Sequence, residues 1–275
     1  MKSVRKIKQT PISKRSVKRR KTKVVKKKND LLIVFDIDET LIQFLHAKNS
    51  KDAVKLWKET DENVKAKLHY VTEKKHVIIL RPHLRQLFNY CMKNANIRVG
   101  LWTLSEREYG KSIAHLLSAE FNLPENFFLF VYGDEDVKDY KTRKDLSMIW
   151  DKFPTYHHSN TFLVDDLKQN IMHPINRKNG FLTPAFAPFG MKGHRDDIVI
   201  DESIANALED DAMKEVVKFS RKIIRYNTSH AEDRRPLFDK KRMADMKMQS
   251  YLKMVAKDEP ELIRVASYGR PTISM

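Results

Sequence analysis

The sequence predicts an α/β fold: a Rossmann-like, mostly parallel sheet with helices on both faces and a small β insertion. Two observations predict it. Short apolar runs recur at Leu31-Leu-Ile-Val-Phe35, Ile97-Arg-Val-Gly-Leu-Trp102, Thr161-Phe-Leu-Val164 and Ile198-Val-Ile200, and continuous runs of this kind suit strands buried on both faces. Between them lie helical stretches, around His83 to Asn94, Glu106 to Glu120 and Leu146 to Phe153, with a longer one from Asp201 to about Tyr226. Alternation of strand and helix argues for a parallel sheet covered on both sides.

In chain order, residues 1–29 come first and read as a disordered basic tail. They hold fourteen Lys or Arg and no Asp or Glu, so +14 of the formal +17 sits there and only +3 on the rest of the 275 residues. Such a segment has too little apolar surface to offset the entropy of ordering. Folding is expected to begin at Asp30, and residues 30–226 form the domain. Two further runs, Val77-Ile-Ile-Leu80 and Phe127-Phe-Leu-Phe-Val-Tyr132, read as strands of small β insertions. Residues 227–275 read as a linker followed by a methionine-rich helix from Phe238 to Ala256. The single cysteine, Cys91, lies in an apolar run, reads as a buried core thiol, excludes an intrachain disulfide and fits a reducing compartment. No run approaches a membrane span and no apolar signal segment opens the chain, so a soluble protein is expected.

The chemistry concentrates where the first apolar run ends, in Asp36-Ile-Asp-Glu-Thr40. Side chains alternate along an extended strand, so Asp36 and Asp38 project to one side. In open α/β sheets that end of the strand is where ligands bind. Two carboxylates there repel one another and need a cation, and a hard, oxygen-ligated ion such as Mg²⁺ meets that need. The bland alternative is an acidic turn in which Thr40 caps a helix.

The segment Phe35-Asp-Ile-Asp-Glu-Thr-Leu-Ile42 resembles the first motif of the haloacid dehalogenase superfamily, within it the FCP/SCP-type phosphatases of the RNA polymerase II C-terminal repeats. Arg81-Pro-His83 is similar to that family's Arg-Pro-His, Leu101-Trp-Thr-Leu-Ser105 to its second motif, Lys144-Asp-Leu-Ser147 to its third and Val164-Asp-Asp166 to its fourth. The resemblance covers roughly residues 30–225 and implies a protein serine/threonine phosphatase. It implies Asp36 as nucleophile, Asp38 as general acid and base, and Thr103 and Lys144 as phosphate ligands. The implied cofactor is Mg²⁺, held by Asp36, the main-chain carbonyl of Asp38, and Asp165 or Asp166, with a lean toward Asp166. Tyr109 matches a tyrosine near the substrate peptide. The implied partner is a phosphoprotein, the polymerase repeats.

Each role is chemically sound by itself. A carboxylate attacking phosphorus splits one slow hydrolysis into two steps, a second carboxyl moves the proton, and cationic and hydroxyl groups fix the phosphoryl oxygens. Trp102 and Leu104 stand where the family has phenylalanine and alanine, and an arginine common in relatives is missing from Leu129-Phe-Val-Tyr132. His83, beside Pro82 at a helix start, reads as structural rather than catalytic. The competing readings are the same chemistry on nucleic-acid or small-molecule phosphates, and a non-catalytic phosphopeptide- or RNA-binding module.

The run Lys14-Arg-Ser-Val-Lys-Arg-Arg-Lys-Thr-Lys with Lys26-Lys-Lys28 looks like a nuclear-localisation signal, which predicts a nuclear protein read by an import receptor and no membrane partner. A nucleic-acid-binding arm and a solubilising tail are the rival readings. Met243, Met246, Ser250 and Met254 share one helical face, either packed on the core or free for a partner helix.

Overall fold

The computed structural model describes residues 30–46, 51–73, 76–137, 144–190 and 200–247. The basic segment 1–29, Ile198 and Val199, and Ser250 and Met254 lie outside them. The chain runs β1 (Leu31–Phe35), β2 (Ile42–His46), α1 (Lys51–Glu59), α2 (Glu62–Lys65), β3 (His69–Glu73), β4 (His76–Leu80), α3 (Leu84–Lys93), β5 (Ile97–Trp102) and α4 (Arg107–Phe121). It continues through β6 (Phe128–Tyr132), α5 (Leu146–Lys152), β7 (Thr161–Asp165), α6 (Lys168–Ile171), β8 (Gly180–Leu182), α7 (Ile200–Leu208), α8 (Ala212–Ser229) and α9 (Lys240–Asp245).

Five strands form a parallel sheet in the order β6-β5-β1-β7-β8. All five residues of β1 are buried, as its unbroken apolar run requires of a strand with neighbours on both edges and cover on both faces. From β1 the chain steps outward through β5 to β6, then returns to β7 and β8 on the other side. Parallel connections of this kind are right-handed as a rule, and crossovers running in opposite directions from β1 then put helices on both faces. The β insertion is a three-stranded antiparallel sheet, β2-β4-β3. A second apolar cluster backs it, with Trp57 of α1, Ile204 of α7, Phe186 and Phe189.

Register explains why distant motifs meet. Phe35 pairs with Leu101 of β5 and with Val164 of β7. Asp36, one residue on, therefore lies between the end of β5, where Thr103 follows, and the end of β7, where Asp165 and Asp166 sit. Gly110 lets α4 approach this edge closely, because a Cβ there would lie 3.0 Å from Val131 Cγ1 and 3.3 Å from Thr103 Cγ2.

Four expectations are corrected. Ile200 begins a helix rather than ending a strand, because Ile200, Ile204 and Leu208 recur at helical spacing and Ile204 and Ala207 are buried. The sheet position beyond β7 goes to Gly180–Leu182, only three residues long. Phe128–Tyr132 is not an insertion but the edge strand of the main sheet, with α4 as its crossover. The long helix after Asp201 is two helices, broken at Asp210 and Asp211. Of the methionine-rich segment, only Lys240–Asp245 is helical among the described residues, and Leu237, Phe238 and Met243 are buried in the main core with Met246 packed against it.

Candidate active site

The loop after β1 is a tight turn. Leu41 N–H donates to Ile37 O at 2.9 Å, and Glu39 N–H to Ile42 O at 2.8 Å. Glu39 itself is left-handed, with φ of 55°. The turn directs Asp36 and Asp38 to different partners. Asp36 takes Lys144 Nζ on Oδ1 and Thr40 Oγ1 at 3.4 Å on Oδ2. Asp38 takes the Tyr109 hydroxyl on Oδ1 and Thr103 Oγ1 at 3.4 Å on Oδ2. Thr103 is held in turn by Ser105 N–H at 3.0 Å.

Lys144 is buried and also donates to Asp165 Oδ2 at 2.8 Å. Burial opposes its charge, but Asp165 and Asp36 together outweigh that and hold its pKa above the ordinary lysine value. Its loop is fixed by the buried Asn176, whose amide donates to Lys144 O and whose carbonyl accepts from Leu146 N–H at 3.1 Å.

Asp165 and Asp166 are adjacent and differently employed. The carboxylate of Asp165 is fully enclosed, receiving Lys144, Leu167 N–H at 2.8 Å and the Asn170 amide at 3.1 and 3.0 Å. Asp166 is half-buried and receives the Thr40 hydroxyl on Oδ1 at 3.0 Å, while its own N–H donates to Thr40 Oγ1 at 3.1 Å.

Burial pushes the Asp36 carboxyl well above the ordinary carboxylate range; Lys144 opposes the shift and Asp165 and Asp166 add to it. Burial likewise raises Asp38, against its bonds from Tyr109 and Thr103. Asp166 is pushed up to about 6 by burial and by Asp165. Glu39 is pushed up to about 7 by burial and then by Asp38 and Asp166.

Oxygens of Asp36, Asp165 and Asp166 lie within 4.8 Å of one another. Fully ionised, the three carboxylates would exceed the one ammonium by two negative charges, which is the charge that their burial opposes. A divalent, oxygen-ligated ion fits that charge and that donor set. Asp165 has its oxygens committed to three protein donors through four hydrogen bonds, so Asp36 and Asp166 are the pair best able to ligate. The side chain of Asp38 turns away toward Tyr109 and Thr103, which leaves only its main chain for a metal.

Residues 31–223 match the NLI interacting factor-like phosphatase family. The chain belongs to this family. Among solved structures, a variant of the fission yeast RNA polymerase II CTD phosphatase Fcp1 bound to beryllium fluoride is similar at 15% identity and a TM-score of 0.42, over 88% of this chain and 67% of that one. A second Fcp1 structure, described as an essential RNA polymerase II CTD phosphatase, is similar at 16% identity and a TM-score of 0.41, over 76% of this chain and 56% of that one. This NLI interacting factor-like phosphatase thus spans little more than half of the second relative. No curated protein matches it.

All six residues singled out from the sequence, Asp36, Asp38, Thr103, Lys144, Asp165 and Asp166, converge on this one edge, and Tyr109 joins them through Asp38. Sequence reasoning missed Thr40 as the link between Asp36 and Asp166, and missed Asn170 and Asn176 altogether. Thr40 had a signal in its place four residues after Asp36. The two asparagines had none, since only the fold brings them to Asp165 and Lys144.

Proposed function

We propose that this phosphatase is a Mg²⁺-dependent protein serine/threonine phosphatase that works through an aspartyl-phosphate on Asp36. One observation carries the reading: a buried carboxylate at the end of the central strand, bonded to a buried lysine, with a second carboxyl two residues on held by Tyr109 and Thr103. Asp36 attacks phosphorus, its oxygen forming the new bond as the bond to the seryl oxygen breaks. Asp38 gives its proton to that leaving oxygen. A water then attacks the acyl phosphate, Asp38 takes its proton back, and inorganic phosphate leaves with Asp36 restored. Thr103 and Lys144 hold the remaining phosphoryl oxygens. Tyr109 and Thr103 keep the Asp38 carboxyl oriented for both transfers. Magnesium, held by Asp36 and Asp166, would supply charge neutralisation for the phosphoryl group.

For the substrate, the relatives' action on the polymerase repeats supports a phosphoserine protein of that kind. A ring ladder beside the site supports a peptide over a small molecule. The Tyr109 ring meets Phe44 edge-on at 5.5 Å, Phe44 lies 5.2 Å from His76, and His76 stacks on His46 at 4.7 Å. We propose the nucleus as its location, on the strength of the basic run at 14–28. The test is phosphate release from a doubly phosphorylated repeat peptide and from an aryl phosphate, with Mg²⁺ or EDTA, for wild type and Asp36→Asn. Mg²⁺-dependent turnover lost in the variant supports the mechanism, and failure of folded, metal-loaded wild type on both substrates overturns it.

A further inference from the structure

Away from the reaction centre, α3 and α8 pack together and leave a surface groove of about 600 Å³. Its lining includes His83, Arg85, Asn89, Tyr90 and Lys93 from the α3 side and Arg221 from α8, and no carboxylate among the described residues. Arg225 lies one turn beyond Arg221 on the same exposed face of α8.

The acids nearby are already matched. Asp211 pairs with Lys214 at 2.6 Å and faces His83 at 3.2 Å, Glu215 pairs with Lys218, and Glu120 lies 3.8 Å from Arg85. No carboxylate pairs with Lys93, Arg221 or Arg225 among the described residues. Two exposed cations in the groove, Lys93 and Arg221, with Arg225 one turn beyond, none paired with a carboxylate among the described residues, are the complement of an anionic chain.

The groove also has a direction. Leu80 ends β4 beside Ile42, just past the Asp36 turn, and Ile97 begins β5 beside Leu31, at the opposite edge of the sheet. Helix α3 joins the two, so the groove runs from the catalytic edge to the far one. Ten helical residues span about 15 Å, room for about four residues of extended peptide.

We propose that this groove holds a second phosphorylated stretch of the protein substrate while another phosphoserine of the same chain occupies the Asp36 site. The proposal rests on the phosphoprotein reading above. Two features favour a phosphopeptide over single-stranded nucleic acid. The ring of Tyr90 is half-buried and has the Arg221 guanidinium over it at 5.1 Å, so that face is not free for a base to stack on. The guanidinium is by its own chemistry a planar fork, suited to two oxygens of one phosphate, and Tyr90 beneath it fixes its place.

The test uses the full chain carrying Asp36→Asn, so that no substrate is consumed, and fluorescence anisotropy. The probes are a labelled repeat peptide with four phosphoserines, the same peptide with one, and a uridine decamer. The combined variant Lys93→Glu, Arg221→Glu, Arg225→Glu should lower affinity for the four-phosphate peptide about tenfold or more and leave the one-phosphate peptide nearly unchanged. With Asp36 intact, its turnover of an aryl phosphate should equal wild type, which also reports that the domain is folded. The milder Lys93→Gln, Arg225→Gln variant should give an intermediate loss. Equal affinity of all variants for the four-phosphate peptide overturns the proposal. So does a loss of decamer binding without loss of peptide binding, which would assign the groove to nucleic acid. If wild type does not hydrolyse the aryl phosphate, the reaction reading fails, while the anisotropy still decides the groove.

Discussion

Arg81 and Asp210 form a two-pronged ion pair, Nε to Oδ1 at 2.9 Å and Nη2 to Oδ2 at 2.6 Å, in which the arginine side chain is wholly buried. The same guanidinium donates to Thr40 O at 2.9 Å and Pro184 O at 2.8 Å and lies over the Phe186 ring at 5.6 Å. One side chain therefore ties the catalytic turn, the segment after β8 and the junction of α7 with α8. Asp210 completes the tie by accepting from Ala212 N–H at 3.0 Å.

Removing one partner of such a pair leaves a desolvated charge behind. Arg81→Met is expected to destabilise the domain by about 3–5 kcal/mol in urea titration. Arg81→Lys restores charge but not the fork, so it should recover part of that stability while turnover stays low, because the Thr40 carbonyl loses its planar donor. Equal stability of Arg81→Met and wild type would sink this account.

Asp165 and Asp166 should separate when each is changed to asparagine. Asp166→Asn removes a free ligand oxygen and should raise the Mg²⁺ concentration for half-maximal activity by about 10–100-fold, the range seen even for groups one step removed from a metal. Asp165→Asn cuts the enclosed partner of Lys144, so its larger effect should fall on thermal stability and kcat, with a smaller shift in the Mg²⁺ titration. A reversed pattern would exchange their roles.

Tyr109→Phe deletes a hydrogen bond to a carboxylate, worth about 1.5–3 kcal/mol. That bond favours the charged form of Asp38, so its loss raises the Asp38 pKa further. In the first step Asp38 must be protonated, so the descending high-pH limb of kcat/KM should move to higher pH in the variant, while kcat falls about tenfold at the optimum. A limb that moves to lower pH would refute the assignment.

What could be read in advance followed the strength of local signals. The runs at Leu31, Ile97 and Thr161 are long and apolar enough to name their strands, whereas the grouping of Thr103 and Asp165 with Asp36 came from the resemblance of their segments to family motifs, and the parallel register of the three strands accounts for it. Ile198-Val-Ile200 is too short for periodicity to arbitrate between strand and helix, and the buried face through Ile204 and Ala207 decided it. The break between α7 and α8 depends on Arg81 capturing Asp210, some 130 residues away in sequence. The division of labour between Asp165 and Asp166 likewise rests on Asn170 and Lys144, which no local pattern near residue 165 reveals.

At the opposite edge of the sheet, His157 offers a pH-dependent test. Burial, and then Arg234, lower its pKa from the ordinary histidine value to about 4. Arg234 Nη1 lies 3.0 Å from Nε2, and the Ser159 hydroxyl 2.8 Å from Nδ1. Protonation would set an imidazolium against a guanidinium. Because the folded pKa lies below the unfolded one, near 6.5, the stabilising contribution is complete above about pH 6.5 and is lost as pH falls toward 4. Glu39 and Asp166, with raised values of about 7 and about 6, act with the opposite sign, gaining stability as pH falls. The comparison must therefore be made with and without His157. The difference in unfolding free energy between wild type and His157→Gln should change between pH 6.5 and 4, wild type losing more of its stability on acidification, and curves that stay parallel across that window would rule this out.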